Sequence, residues 1–191
     1  IGLIAAAIMN PTIPTLFPTV LFGMLAGQRQ AFNPAKALAG PILMIVLVLL
    51  MTTIISLTRS MPMVLISLLF VIFWAAYYLI LTTGNPLGML VLIVAVLTST
   101  MGMYSLEAMD GLATSCYKAC GVALLVIPVL YIVFPPRTKL IFDPTYTPAD
   151  GGEYGKRAFI RACVMMLLSF WLYTVLDVGN LIYAIAAVFV T

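Results

Sequence analysis

The sequence predicts an all-α, polytopic transmembrane helix bundle of about eight segments, the first and last incomplete. Three observations predict it. Hydrophobic residues make up 64% of the chain and charged residues 8%, against roughly 25% charged in a soluble domain. Apolar runs long enough to cross a hydrocarbon core of roughly 30 Å recur, separated by short polar or proline-bearing breaks. The cations are divided unevenly between those breaks, as in membrane proteins of fixed orientation.

Taken in order, Ile1 to Met9 reads as the end of a helix stopped at Asn10-Pro11, because the residue before proline is pushed out of helical geometry. The chain begins at Ile1 and stops at Thr191, each inside an apolar stretch, and is expected to be part of a longer protein. Pro11, Pro14 and Pro18 make a broken or re-entrant segment, a backbone tolerated at membrane depth only where it is buried in protein or lines a cavity. Gly23 and Gly27 form a GxxxG pair that permits close helix approach. A helix is expected from Ala35 to about Leu57, after the polar interval Gln28 to Lys36. Thr58 to Met61 turns the chain, and Pro62 suits the first turn of a helix running to about Leu81. Its Trp74, Tyr77 and Tyr78 share a face near the far end, and read either as an interfacial belt or as aromatic walls of a substrate path. Thr83-Gly84-Asn85-Pro86 is a tight turn, followed by a helix from Leu87 to about Tyr104 and a short acidic connection, Ser105 to Asp110.

The next segment, Gly111 to Phe134, carries one charge, Lys118, close to its middle. An ammonium at that depth costs at least about 2.5 kcal/mol on insertion scales, so it should face protein or water. On a helical wheel Asp110, Thr114, Tyr117, Lys118 and Gly121 fall within about one third of the circumference, while Val122, Leu125, Val129 and Ile132 form a greasy face. Lys118 therefore reads as a buried cation lining a solute path, or as a snorkelling side chain directed towards Glu107 and Asp110. Asp110 reads in turn as a proton carrier or as a helix cap, and so does Asp177 further along the chain.

Residues 1–134 are thus a first membrane half, 135–156 a proline-, glycine- and charge-rich linker, and 157–191 the start of a second half, opened by Arg157 and Arg161 and broken at Asp177-Val178-Gly179-Asn180. Alternation places Arg29, Lys36, Arg137, Lys139, Lys156, Arg157 and Arg161 on one side and Arg59 alone on the other, so the linker is cytoplasmic. Asn10 and Asp177 occupy matching breaks, and the same offset pairs Phe22 with Phe189. Read as a repeat, this offset spans six helices and gives two parallel six-helix halves; read otherwise, it is a chance similarity of two apolar hairpins.

The absence of histidine leaves proton-linked steps to the six carboxylates. Cys116, Cys120 and Cys163 lie inside apolar helices without metal-site spacing and read as packing residues. No HExxH, DxD-like cluster or GxSxG is present, so no catalytic constellation, metal site, cofactor or nucleic-acid partner is expected. Small residues on helix faces, including Gly23, Gly27, Ala158, Ala162, Ala184 and Ala187, suit helix association and leave open a non-transporting scaffold subunit. Arg29 and Lys36 are placed to meet lipid head groups, although topology alone accounts for them.

Four features coincide: the proline-interrupted NPTIPTLFPTVLFGMLAG, a six-helix block, the VFPPR end at Val133 to Arg137, and KRAFIRA at Lys156 to Ala162. Together they resemble the fusaric-acid-resistance and aromatic acid exporter superfamily in its short bacterial inner-membrane form. The resemblance implies a secondary exporter of small aromatic or organic acids, working with a periplasmic adaptor and an outer-membrane channel as a homo-oligomer. From the residues, the expected substrate path holds Lys118, Tyr117, Thr114, Pro14, Pro18, Trp74 and Tyr78, and proton coupling falls to Asp177, Asp110 and Glu107.

Overall fold

The computed structural model describes residues 34–133 and 152–175, all of the regular structure among them helical. Five helices follow in order: α1 Pro34–Thr58, α2 Pro62–Thr83, α3 Pro86–Tyr104, α4 Leu106–Val133 and α5 Tyr154–Val175. Four of them, α1 to α4, are long and apolar enough to cross a membrane, the architecture of a multi-pass membrane protein. In α5 the first two turns hold Lys156, Arg157 and Arg161, which shortens its apolar part. Pro14, Pro18, Gly23, Gly27, Asp177, Asn180 and most of the 135–156 linker lie outside the described residues.

The described residues divide between two compact units. One holds 34–49 and 110–133, the other 50–109 and 152–175. In the second unit α2 packs against both α3 and α5, and α3 also touches α5. The inward side of α3 is nearly continuous: Leu92, Val94 to Ser99, Met101 and Gly102 are all buried. Leu65, Leu69, Phe73, Ala76 and Tyr77 give α2 one apolar stripe at helical spacing, and Ala158, Ala162 and Met165 do the same for α5. Two contacts fix the direction of that last pair. The Phe70 and Phe159 rings meet edge to face with centroids 5.3 Å apart, and the Trp74 indole N–H donates to the Gly155 carbonyl at 3.3 Å. Residue numbers rise on one helix as they fall on the other, so α2 and α5 are antiparallel.

The joints between helices are shorter than the sequence suggests, and each has a local cause. Thr82 and Thr83 donate their hydroxyls to the Tyr78 and Leu79 carbonyls at 2.7 Å, which carries α2 past Leu81 to Thr83. Gly84 then takes a left-handed φ of 63° and its N–H closes onto the Ile80 carbonyl at 2.9 Å, while Asn85 Oδ1 accepts the Leu87 N–H at 3.0 Å and Pro86 opens α3. The expected acidic connection from Ser105 to Asp110 does not form. Ser105 alone joins α3 to α4: its N–H donates to the Met101 carbonyl at 2.9 Å and its Oγ accepts the Ala108 N–H at 3.0 Å. One serine thus ends one helix and caps the next, and Glu107 falls in the first turn of α4, where a carboxylate favours the helix dipole. The helix after the linker likewise starts earlier than expected. Tyr154, Gly155 and Lys156 belong to it, with the Arg157 N–H donating to the Glu153 carbonyl and Lys156 paired with Glu153 at 2.6 Å.

Two glycines of α3 sit where another helix passes. A Cβ at Gly88 would lie 2.7 Å from the Ala76 carbonyl oxygen and 2.6 Å from Ile80 Cγ1, and one at Gly102 would lie 2.6 Å from Ile55 Cγ2. The Ala76 oxygen is backbone and cannot swing aside. Gly88→Ala is therefore expected to destabilise the purified protein by about 1–3 kcal/mol, the usual range for overpacking. Gly40→Ala, with nothing within 4 Å of the added carbon, should be neutral or slightly stabilising because alanine is the better helix former. Denaturant titration in one detergent checks both.

Candidate functional site

The candidate site is one side of α4. The helix has 28 residues, about 42 Å at 1.5 Å per residue, which exceeds a hydrocarbon core of roughly 30 Å and leaves its acidic first turns room to reach the interface. Lys118 lies about 18 Å along it from Leu106, close to the midpoint. The earlier start at Leu106 therefore brings the ammonium nearer the helix centre than the Gly111 to Phe134 estimate did.

Burial divides α4 into two sides. Met109, Leu112, Ala113, Cys116, Ala119, Cys120, Ala123 and Ile127 are all buried, a succession at helical spacing in which most side chains are small. Ala123 and Ile127 pack with Val122 and Tyr131. Ser115 is buried too, its Oγ donating to the Gly111 carbonyl at 2.8 Å. Cys116 and Cys120 are free thiols on this side, and among the described residues no group of three or more His, Cys, Asp or Glu could hold a metal.

Among the described residues, the opposite side is exposed or half-buried. Asp110, Thr114 and Gly121 are exposed and Tyr117 and Lys118 are half-buried. Lys118 is engaged in an interaction rather than free. Further along the same stripe Leu125 is 73% and Ile132 80% exposed, which is the environment of side chains meant for lipid or for another helix. This side thus changes character at Gly121, from carboxylate, hydroxyl and ammonium to aliphatic. Pro128 interrupts this second part, where its missing N–H leaves the Leu124 carbonyl without its usual helical donor.

Glu107 is exposed at the start of α4, one turn before Asp110. Asp110 is not the helix cap, since Ser105 fills that role. Trp74 and Tyr78 are exposed on α2 and belong to the second unit. Their rings lie 6.2 Å apart, and the Trp74 indole N–H is committed to Gly155. The structure therefore gathers Asp110, Thr114, Tyr117 and Lys118 on one helix side and places Trp74 and Tyr78 beside the basic start of α5. Pro14, Pro18 and Asp177 are outside the described residues. Sequence reading passed over Gly88 and Gly102, whose signal was an isolated glycine near each end of an otherwise apolar helix. It read Lys156 and Arg157 as topology signals and as part of KRAFIRA, and did not bring them to Trp74.

The two sides of α4 make opposite predictions for thiol labelling in reconstituted vesicles. Cys116 and Cys120 should react with a maleimide at least about ten-fold more slowly than Thr114→Cys, because buried thiols wait for local opening. A membrane-impermeant maleimide should label Thr114→Cys and spare Leu125→Cys. No family model, curated protein or solved structure matches the chain.

Proposed function

We propose that the chain is part of a proton-driven secondary exporter of small aromatic or organic acids, a transporter and not an enzyme, in the bacterial inner membrane. The observation that carries this reading is Lys118: a cation near the centre of an apolar span, half-buried, on a stripe with exposed Asp110 and Thr114. Charges at that depth are costly, so their usual role is on a solute or ion route. In this reading Lys118 draws the carboxylate of the solute out of water, and Thr114 and Tyr117 hydrogen-bond its polar substituents. Asp110 and Glu107, together with Asp177, pass protons between the route and one surface. The break at Pro14 and Pro18 bounds the route, and Trp74 and Tyr78 anchor α2 in the interfacial belt.

The wider organisation belongs to the same proposal. The described helices are part of about eight segments, from the first of two parallel six-helix repeats and the start of the second. The exposed side of α4 meets a second copy of the chain in a homo-oligomer. A periplasmic adaptor and an outer-membrane channel complete the route, as in the fusaric-acid-resistance and aromatic acid exporter superfamily that the sequence resembles. A second reading, a non-transporting scaffold, draws on the same exposed stripe as a helix-docking face.

Efflux from cells expressing the full-length protein and loaded with a hydroxylated aromatic acid separates the two. Lys118→Met should slow efflux roughly ten- to a hundred-fold, the loss expected for a hydrogen bond to a charged group. Lys118→Arg should retain part of it, and a protonophore should abolish it. Unchanged efflux by a correctly inserted Lys118→Met protein overturns the route, and no efflux from wild type favours the scaffold.

A further inference from the structure

A second polar feature lies in the other unit, where the antiparallel α2 and α5 meet. An open groove of about 440 Å³ is lined by Trp74, Gly155, Lys156, Phe159 and Ile160. Its walls are carbon: the indole of Trp74, held in place by its bond to the Gly155 carbonyl, and the ring of Phe159, locked edge to face on Phe70. One cation, Lys156, lines it, and two more, Arg157 and Arg161, follow within the first turns of α5. Lys156, Arg157 and Arg161 are all exposed, and Glu153 pairs with Lys156 alone, so neither arginine meets a carboxylate of the described residues.

The groove opens onto an apolar track. From Ile160 the exposed side of α5 continues through Val164, Leu167 and Trp171, and from Trp74 the exposed side of α2 continues through Val71 and Val64. Arg157 and Arg161 flank the head of that track. Tryptophan and tyrosine prefer the head-group level of a bilayer, and Trp74, with Tyr78 a turn further on, marks that level at the basic start of α5. A cationic helix start at head-group level above a ridge of exposed aliphatic side chains matches one occupant on both counts: an anionic head group with acyl chains beneath it.

We propose that the α2–α5 groove binds an anionic phospholipid of the leaflet on the Lys156 side, its phosphate between Lys156, Arg157 and Arg161 and one acyl chain along Ile160, Val164 and Leu167. Neutral lipid satisfies only the apolar part. A soluble anion satisfies only the cations.

Trp74 is itself the reporter. The full-length protein with every tryptophan other than Trp74 replaced by phenylalanine, Trp171 included, is titrated in phosphatidylcholine vesicles with acyl-brominated phosphatidylglycerol or acyl-brominated phosphatidylcholine, and quenching of Trp74 is followed. Each interfacial cation strengthens association with anionic lipid about five-fold. Half-quenching should therefore need at least about five-fold less phosphatidylglycerol than phosphatidylcholine. The preference should vanish in Arg157→Gln with Arg161→Gln, whose exposed positions leave the fold intact by circular dichroism. It should persist in Arg59→Gln, which loses the same kind of charge at the opposite end of α2. Equal quenching by the two lipids overturns the site, as does a preference that survives the double arginine variant. If inorganic phosphate abolishes the preference where sodium chloride of equal ionic strength does not, the occupant is a soluble anion and the lipid assignment fails.

Discussion

The constraint on which this structure depends is that hydrocarbon offers no hydrogen-bond partner. Backbone N–H and C=O groups at membrane depth must be satisfied inside the protein, nearly all of them within their own helix. The same demand extends to side chains. Thr98 donates to the Val94 carbonyl at 2.7 Å, Ser99 to Val96 at 3.0 Å and Ser115 to Gly111 at 2.8 Å, each onto its own helix, and no buried side-chain oxygen or nitrogen of the described residues lacks a partner. These hydroxyls thus enter the helices at little cost, and a polar link between helices is made by the Trp74 indole N–H, which joins α2 to the Gly155 carbonyl of α5. What else brings α2, α3 and α5 together is close packing around small residues, Gly88 on α3 and Ala158 and Ala162 on α5, while Gly102 admits Ile55 of α1 to α3 in the same way.

The positions of the helices were legible because hydropathy along a chain reports where lipid is crossed. Pro62 and Pro86 marked two starts to within a residue, since proline fits the first turn and little else in a helix. The joints were less legible. A serine can be loop or cap, and only its acceptance of the Ala108 N–H shows that Ser105 serves both helices and leaves no acidic loop. Threonines likewise prolong α2 through bonds to its own carbonyls, which composition does not register.

Periodicity also anticipated that α4 has two unlike sides, but it grouped them by polarity, and burial groups them by size. The buried side collects alanines and the two cysteines near the helix centre, residues that a hydropathy scale ranks below leucine. The aliphatic side chains Leu125, Val129 and Ile132 instead share the exposed stripe with Lys118. Which residues cover a helix depends on how near its neighbours come, and small residues permit nearness without announcing it in a single sequence. Where Lys118 finds its counterpart is in that sense a question of packing, since the wheel that singles out its face says nothing of what meets it.

The two-residue turn at Gly84-Asn85 bears on how the protein is made. A nascent chain leaving the ribosome must deliver α2 and α3 to the membrane with almost nothing hydrophilic between them, so no loop has to be threaded through a translocon. With Gly88 seated against the Ala76 carbonyl at the foot of the pair, the two spans can close on each other as soon as α3 emerges. They would then partition into lipid as one preassembled wedge, and the later helices would be laid against a finished surface.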